Sequence, residues 1–356
     1  MANSNTRFTA LGMSGSGKTC YVLGMYYQMI TGLKGFSVKA ENSSVAKLEA
    51  WMDKLDEECG MDRFPAGTAL TEVSDYEFKL KYALQDIMTF NWIDYGGGTL
   101  KERENNPEPY QMLLESIEQS PVLYVFLDGE LLCQENSEKR IREVKKNVRT
   151  INDFLMEYSE YHQDDMLPIV FVITKADMCA DYISNEEVSN IMQECFGFLM
   201  TKGTGIRFYV TMVTLGKEIA DNGYKGGADP KMHIPIFLGI YHTFLNFCLA
   251  LREEIMDEEK RNRTWIGNSK NTIDKERHKT GLGFLDRLLC DESKINDCRR
   301  QIDAANETIQ SNRELFVHYK KLMTAVSSQL LRDSVNFKMF EDGIERDFDA
   351  IEGFEL

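Results

Sequence analysis

Residues 12–19 read GMSGSGKT and fit the pattern G-x-x-x-x-G-K-[ST]. Gly12, Gly15 and Gly17 let the backbone curl so that successive N–H groups face one point. With the helix start that follows, such a loop cradles phosphate oxygens. Ser14, Ser16 and Cys20 belong to the same cradle, Lys18 adds a point charge for terminal phosphates, and Thr19 offers a hydroxyl to a hard cation such as Mg²⁺. Two later stretches add chemistry. DYGGG at 94–98 closes an apolar run with a carboxylate, Asp94, suited to hold the cation, and Gly97 lets a backbone N–H come close to a terminal phosphate. TKAD at 174–177 follows IVFVI. The two oxygens of Asp177 match the adjacent N1–H and amine of guanine, a donor pair that adenine lacks, and the Lys175 stem lies along base and ribose.

These stretches need elements to hold them. Short apolar runs recur at RFTALG (7–12), YEFKLKYAL (76–84), DIMTFNWIDYGGG (86–98), PVLYVFLDG (121–129), LPIVFVITKAD (167–177) and IRFYVTMVTLG (206–216). Several are apolar throughout, which predicts strands buried on both faces of a mostly parallel sheet. Helical patterns lie between them, at 20–33, 45–59, 109–119, 139–158 and 185–200. The alternation predicts an α/β domain with a doubly wound, mostly parallel sheet, in which ligands sit outside the carboxyl ends of the strands. Each motif falls at such an end.

Composition narrows the partners. The chain has 356 residues and a net charge of −16, so most of its surface repels nucleic acid and anionic lipid. No signal-like N-terminus and no uninterrupted apolar span is read. The segment 234–251 is broken by Pro235, His242 and Asn246 and reads as a strand end or loop before a buried helix. The eight cysteines form no C-x-x-C pair, which points to reduced thiols and a cytoplasmic setting. The last hundred or so residues change character. Ile295, Ile302, Ile309, Phe316, Met323 and Leu330 make one seam, and Cys298, Ala305, Asn312, Tyr319 and Val326 a second, in heptad a/d spacing. This helix pairs either with a partner chain, as a homo- or hetero-oligomer, or with the helix around 244–262. Residues 260–279 read as a mobile connector and 333–356 as an acidic, peripheral tail. The expected division is residues 1–250 as the nucleotide domain and 251–356 as a helical, coiled-coil-like extension.

In this order, GMSGSGKT, DYGGG and TKAD resemble the first, third and fourth nucleotide motifs of the translation-factor-related (TRAFAC) class of P-loop GTPases, over about residues 7 to 250. The resemblance implies GTP or GDP with Mg²⁺ as ligands. It assigns Lys18, Gly97 and a switch threonine to catalysis, and Thr19, Asp94 and that threonine to the metal. It assigns Thr174, Lys175 and Asp177 to the base. Thr68 is preferred for the switch over Thr71. The fifth motif, expected near VTLGKE (213–218), matches poorly. Gly98 stands where Ras-like hydrolases carry a Gln, and Arg103 is a candidate finger in cis. The layout is also similar to bacterial GTPases of multi-gene conflict or defence systems. The implied function is a GTP-hydrolysing switch acting on a protein partner. The alternatives are a nucleotide-binding scaffold with negligible turnover and an ATPase or small-molecule kinase.

Overall fold

The computed structural model describes residues 6–57, 63–65, 72–105, 107–161, 167–179, 182–203, 205–215, 231–278 and 291–348. Its centre is a mixed sheet of nine strands: β1 (Thr6–Gly12), β2 (Phe36–Ala40), β3 (Val73–Tyr82), β4 (Gln85–Tyr95), β5 (Leu123–Asp128), β6 (Ile169–Thr174), β7 (Arg207–Met212), β8 (Phe337–Glu341) and β9 (Ile344–Arg346). The order is β2-β3-β4-β1-β5-β6-β7-β8-β9. The run β4-β1-β5-β6-β7 is parallel, and antiparallel strands extend it at both ends.

Helices cover both faces. Helix α1 (Lys18–Ile30) and α2 (Ser43–Glu57) lie on one face. There Tyr21 packs on Trp92 at 5.2 Å and Phe126 at 5.3 Å, and Trp51 meets Tyr76. Trp92 is fully buried, so Trp92→Ala should cost about 3–5 kcal/mol. Helices α3 (Pro107–Glu118), α4 (Ser137–Tyr161) and α6 (Asn185–Cys195) cover the other face; the one-turn α5 (Ala176–Cys179) follows β6. Their Leu113, Ile117, Val148, Leu155 and Ile191 pack with Val125, Ile169 and Phe171 of the strands.

Three sequence expectations need correction. Ile234 and Pro235 are not a strand end or loop but already belong to a helix that starts at His233. The tail from Asp333 is not peripheral: β8 and β9 join the sheet beside β7. Lys338, Glu341, Glu345 and Arg346 mask these strands in the sequence, as charge on edge strands commonly does. Asp342 and Gly343 carry φ of 54° and 75° at their turn, the left-handed pair that a two-residue hairpin demands. Nor is 260–277 a connector. It is the end of one helix, α7 (His233–Arg277), of 45 residues. The apolar start of α7 is a core element: 72% of its most apolar 18-residue window is buried.

The chain divides into one unit of residues 1–242 and 327–350 and a second of 243–326 and 351–356. Residues 327–350 thus go with the sheet. In the second unit, α7 and α8 (Glu292–Arg332) run antiparallel. Tyr319 packs on Phe244 and Phe247, Arg313 pairs with Glu259, and Lys294 pairs with Glu276. From Asn296 to Leu315 the residues that escape full exposure are Cys298, Ile302, Ala305, Ile309 and Asn312, all of them heptad seam positions. The seam therefore folds onto α7 of the same chain.

Candidate functional site

Strand register gathers the motifs. In the parallel run, Ala10 lies beside Asp94, Gly12 beside Phe126, and Asp128 beside Thr174. The loops after β1, β4, β5 and β6 therefore leave the sheet side by side.

The glycine loop joins β1 to α1. Gly15 and Gly17 both have φ of 81°, a conformation that side-chain-bearing residues seldom adopt. The Ser16 N–H donates to the Met13 carbonyl at 3.2 Å, and Tyr21 N–H to Gly17 at 2.8 Å. No side chain caps α1 and its first turn carries no acid. Lys18 is only 6% exposed. Its ammonium donates to the carbonyls of Gly12 at 2.9 Å and Met13 at 3.3 Å. Burial lowers its pKa, against the opposing pull of Asp94. The neighbouring Cys20 thiol is pushed up to about 11 by burial, so it stays protonated.

Asp94 lies one residue before the end of β4 and has no exposed surface. Its Oδ2 accepts the Thr19 hydroxyl at 2.7 Å. Among the described residues its Oδ1 has no hydrogen-bond partner, and neither do the hydroxyls of Ser16 and Thr99. Burial raises the Asp94 pKa, while Lys18, Thr19 and Lys47 pull it back in part. Gly97 lies against the glycine loop: a Cβ there would stand 2.0 Å from the Ser14 nitrogen and 2.6 Å from the Met13 carbonyl carbon. Only glycine permits that approach. Gly98 accepts N–H groups from Lys101 and Glu102, both at 2.9 Å, and starts a turn.

TKAD forms the far side. The Thr174 hydroxyl donates to the Ser16 carbonyl at 2.9 Å, tying this segment to the glycine loop. Lys175 sits at φ 51°, a left-handed backbone that a lysine adopts at a cost. Its ammonium pairs with Asp128 at 2.8 Å and Glu130 at 3.2 Å. Burial disfavours the charged form, but the two carboxylates prevail and hold its pKa above the usual value. Asp177 accepts the Thr214 hydroxyl on Oδ1 at 2.7 Å. Backbone bonds from Ala176 to Val213 and from Val213 to Ile173 keep the two segments together.

The structure thus brings together residues 12–20, Asp94, Gly97, Thr174, Lys175 and Asp177. Arg103 is engaged elsewhere: it pairs with Glu157 of α4 at 2.8 Å and lies over Tyr110. Thr68 and Thr71 lie outside the described residues. Sequence reading missed Asp128 and Glu130 as partners of Lys175, and Thr214 as the partner of Asp177. A threonine directly after the last apolar strand was the available signal for Thr214. Among the described residues no three His, Cys, Asp or Glu converge as a metal cluster. No family model and no curated protein matches the chain.

The arrangement has two chemical ends. One presents backbone donors, an ammonium and a hydroxyl–carboxylate pair, which suits a phosphate with a hard cation. The other presents a positioned carboxylate and a lysine stem, which suits a flat base with adjacent donors.

Proposed function

We propose that the chain binds GTP with Mg²⁺, hydrolyses it slowly, and acts as a nucleotide-dependent switch on a protein partner, as a TRAFAC-class GTPase in the cytoplasm. The observation that carries this reading is the register. The glycine loop, Asp94, Asp128 and TKAD leave four adjacent parallel strands at the same end. Mg²⁺, when bound, neutralises phosphate charge, and Thr19 with the open Oδ1 of Asp94 would hold it directly or through water. Lys18 exchanges the carbonyls of Gly12 and Met13 for terminal phosphate oxygens. N–H groups of the loop and of Gly97 stabilise the charge that develops during transfer. Loss of the γ-phosphate releases the segment around Gly97 and, on this reading, Thr68. The helices of the second unit present the partner surface.

A second reading, a nucleotide-binding scaffold with negligible turnover, draws on two observations. Gly98 has no side chain to orient water, and Arg103 is held by Glu157. One experiment separates the readings. GTP, GDP and ATP binding with Mg²⁺ is measured for the wild type and Asp177→Ala, with phosphate release followed in the same samples. GTP binding lost in Asp177→Ala, with phosphate release by the wild type, supports the switch. Tight GTP binding without release supports the scaffold. ATP binding untouched by the substitution overturns the guanine assignment.

A further inference from the structure

Position 98 offers no side chain at the phosphate end, and Arg103 pairs with Glu157. Another cation lies nearby. Lys47 sits on α2, in the segment between β2 and β3. Its ammonium donates to the Ser74 hydroxyl at 3.3 Å. It stands 4.8 Å from the centre of the Tyr76 ring and 5.2 Å from that of Trp51. Ser74 is the direct cross-strand neighbour of Asp94. Residues so paired carry their side chains on one face, with Cβ atoms about 5 Å apart. The Lys47 ammonium is therefore roughly one side-chain length from the carboxylate that Thr19 holds.

Its surroundings differ from those of the lysines on β2 and β3. Lys39 and Lys79 pair with Glu41, and Lys79 and Lys81 with Asp86. Among the described residues Lys47 has no carboxylate partner. A lysine serving only to fasten α2 would be better matched by an acid on β3, yet its hydrogen-bond partner is a neutral serine. The two rings restrict where the ammonium can go, which lowers the entropy cost of placing it on a ligand. Two lysines act on the charge of Asp94, Lys18 and Lys47. Lys18 is buried in the glycine loop, whereas Lys47 is on an exposed helix position and, among the described residues, forms no ion pair.

We infer that Lys47 supplies a second cation to the γ-phosphate of the bound nucleotide, from α2, at the end of the site where position 98 offers no side chain. This rests on the nucleotide reading above. It makes Lys47 a determinant of GTP over GDP, because GDP has no γ-phosphate to meet it.

The test compares GTP and GDP affinities, each with Mg²⁺, for the wild type, Lys47→Met and Lys47→Arg, alongside melting of the nucleotide-free proteins. A non-hydrolysable GTP analogue repeats the GTP arm. Lys47→Met keeps the stem and removes the charge. The expected result is GTP affinity lowered about tenfold, GDP affinity changed less than about twofold, and most of the GTP loss restored in Lys47→Arg. Equal losses for GTP and GDP, or no loss for either, overturn the inference while leaving the nucleotide reading intact. Lower melting of Lys47→Met with an unchanged GTP-to-GDP ratio assigns Lys47 to fastening α2 and also overturns it. A wild type that binds neither nucleotide overturns the underlying reading, and the inference with it.

Discussion

The two ends of the site are built from neighbouring strands yet differ in how their polar atoms are satisfied. At the phosphate end, Asp94 Oδ1 and the hydroxyls of Ser16 and Thr99 are buried without partners among the described residues, and α1 begins without a side-chain cap. At the base end, Lys175 is paired with Asp128 and Glu130, and Asp177 accepts from Thr214. A buried polar atom without a partner costs about 1–3 kcal/mol, whereas exchanging one hydrogen bond for another changes little. On the proposed reading, the phosphate end therefore stores a cost that the bound phosphate and cation would relieve. The base end holds its groups in place with internal bonds, and on the same reading would give up some of them to a base. Affinity should come mainly from the first and discrimination from the second.

The largest test of this contrast is Lys18→Met. The substitution removes the charge that is buried against the Gly12 and Met13 carbonyls. Affinity for GTP and GDP should fall by about a hundredfold, since a charge-assisted contact to phosphate is lost at a dry site. Direct binding titrations check this. If Asp177→Asn were to cost more than Lys18→Met, the assignment of affinity to the phosphate end would be wrong.

The base end should show smaller and selective effects. Asp177→Asn should lower GTP affinity about tenfold and leave ATP affinity unchanged, because an amide presents one acceptor where the carboxylate presents two. Competition between GTP and ATP for a fluorescent nucleotide reads this directly. Thr214→Val should cost about 1 kcal/mol of GTP affinity through the lost bond to Asp177, and Thr214→Ser should restore it. A loss of equal size for ATP would mean that Thr214 supports the fold and not the orientation of Asp177.

The phosphate end was the more legible of the two in the sequence, for a physical reason. A phosphate cradle is made by consecutive residues, so GMSGSGKT carries its own geometry, and DYGGG likewise ends the strand that supports it. The base end depends on which strands lie side by side. Nothing in TKAD says that Asp128 will stand beside Thr174, or that Thr214 will reach Asp177. Lys47 was hidden similarly, because its relation to Asp94 passes through Ser74 and the pairing of β3 with β4. Arg103 shows the converse: closeness to Gly97 in sequence made it a candidate, and the structure pairs it on the surface with Glu157, far along the chain. The heptad seam was readable because its period is local, and the helix around 244–262 was one of the two partners it offered; the structure selects that one. The strands after Asp333 were missed although Asp342-Gly343 is a strong hairpin signal, because their charged residues read as a tail.

The smallest expected effect bears on the stored cost itself. Burial raises the Asp94 pKa, and the opposing pulls of Lys18, Thr19 and Lys47 do not cancel it. A carboxyl whose pKa is higher folded than unfolded contributes its full stability below the unfolded value and loses it as pH rises through the folded value. Above that window, which starts at the ordinary carboxylate range, the ionised group is a net cost to the nucleotide-free protein. Asp94→Asn removes the ionisation while keeping the shape. Free of nucleotide and divalent cation, the variant should therefore be more stable than the wild type at neutral pH, by on the order of 1 kcal/mol, and the gap should close on acidification. In nucleotide with Mg²⁺ the order should reverse, because ligand that binds only the intact site stabilises the wild type. Chemical denaturation across the acid-to-neutral range, with and without ligand, follows both arms. A metal-free wild type that is more stable than Asp94→Asn at neutral pH would mean that the open oxygen of Asp94 carries no cost. The contrast between a strained phosphate end and a satisfied base end would then fail.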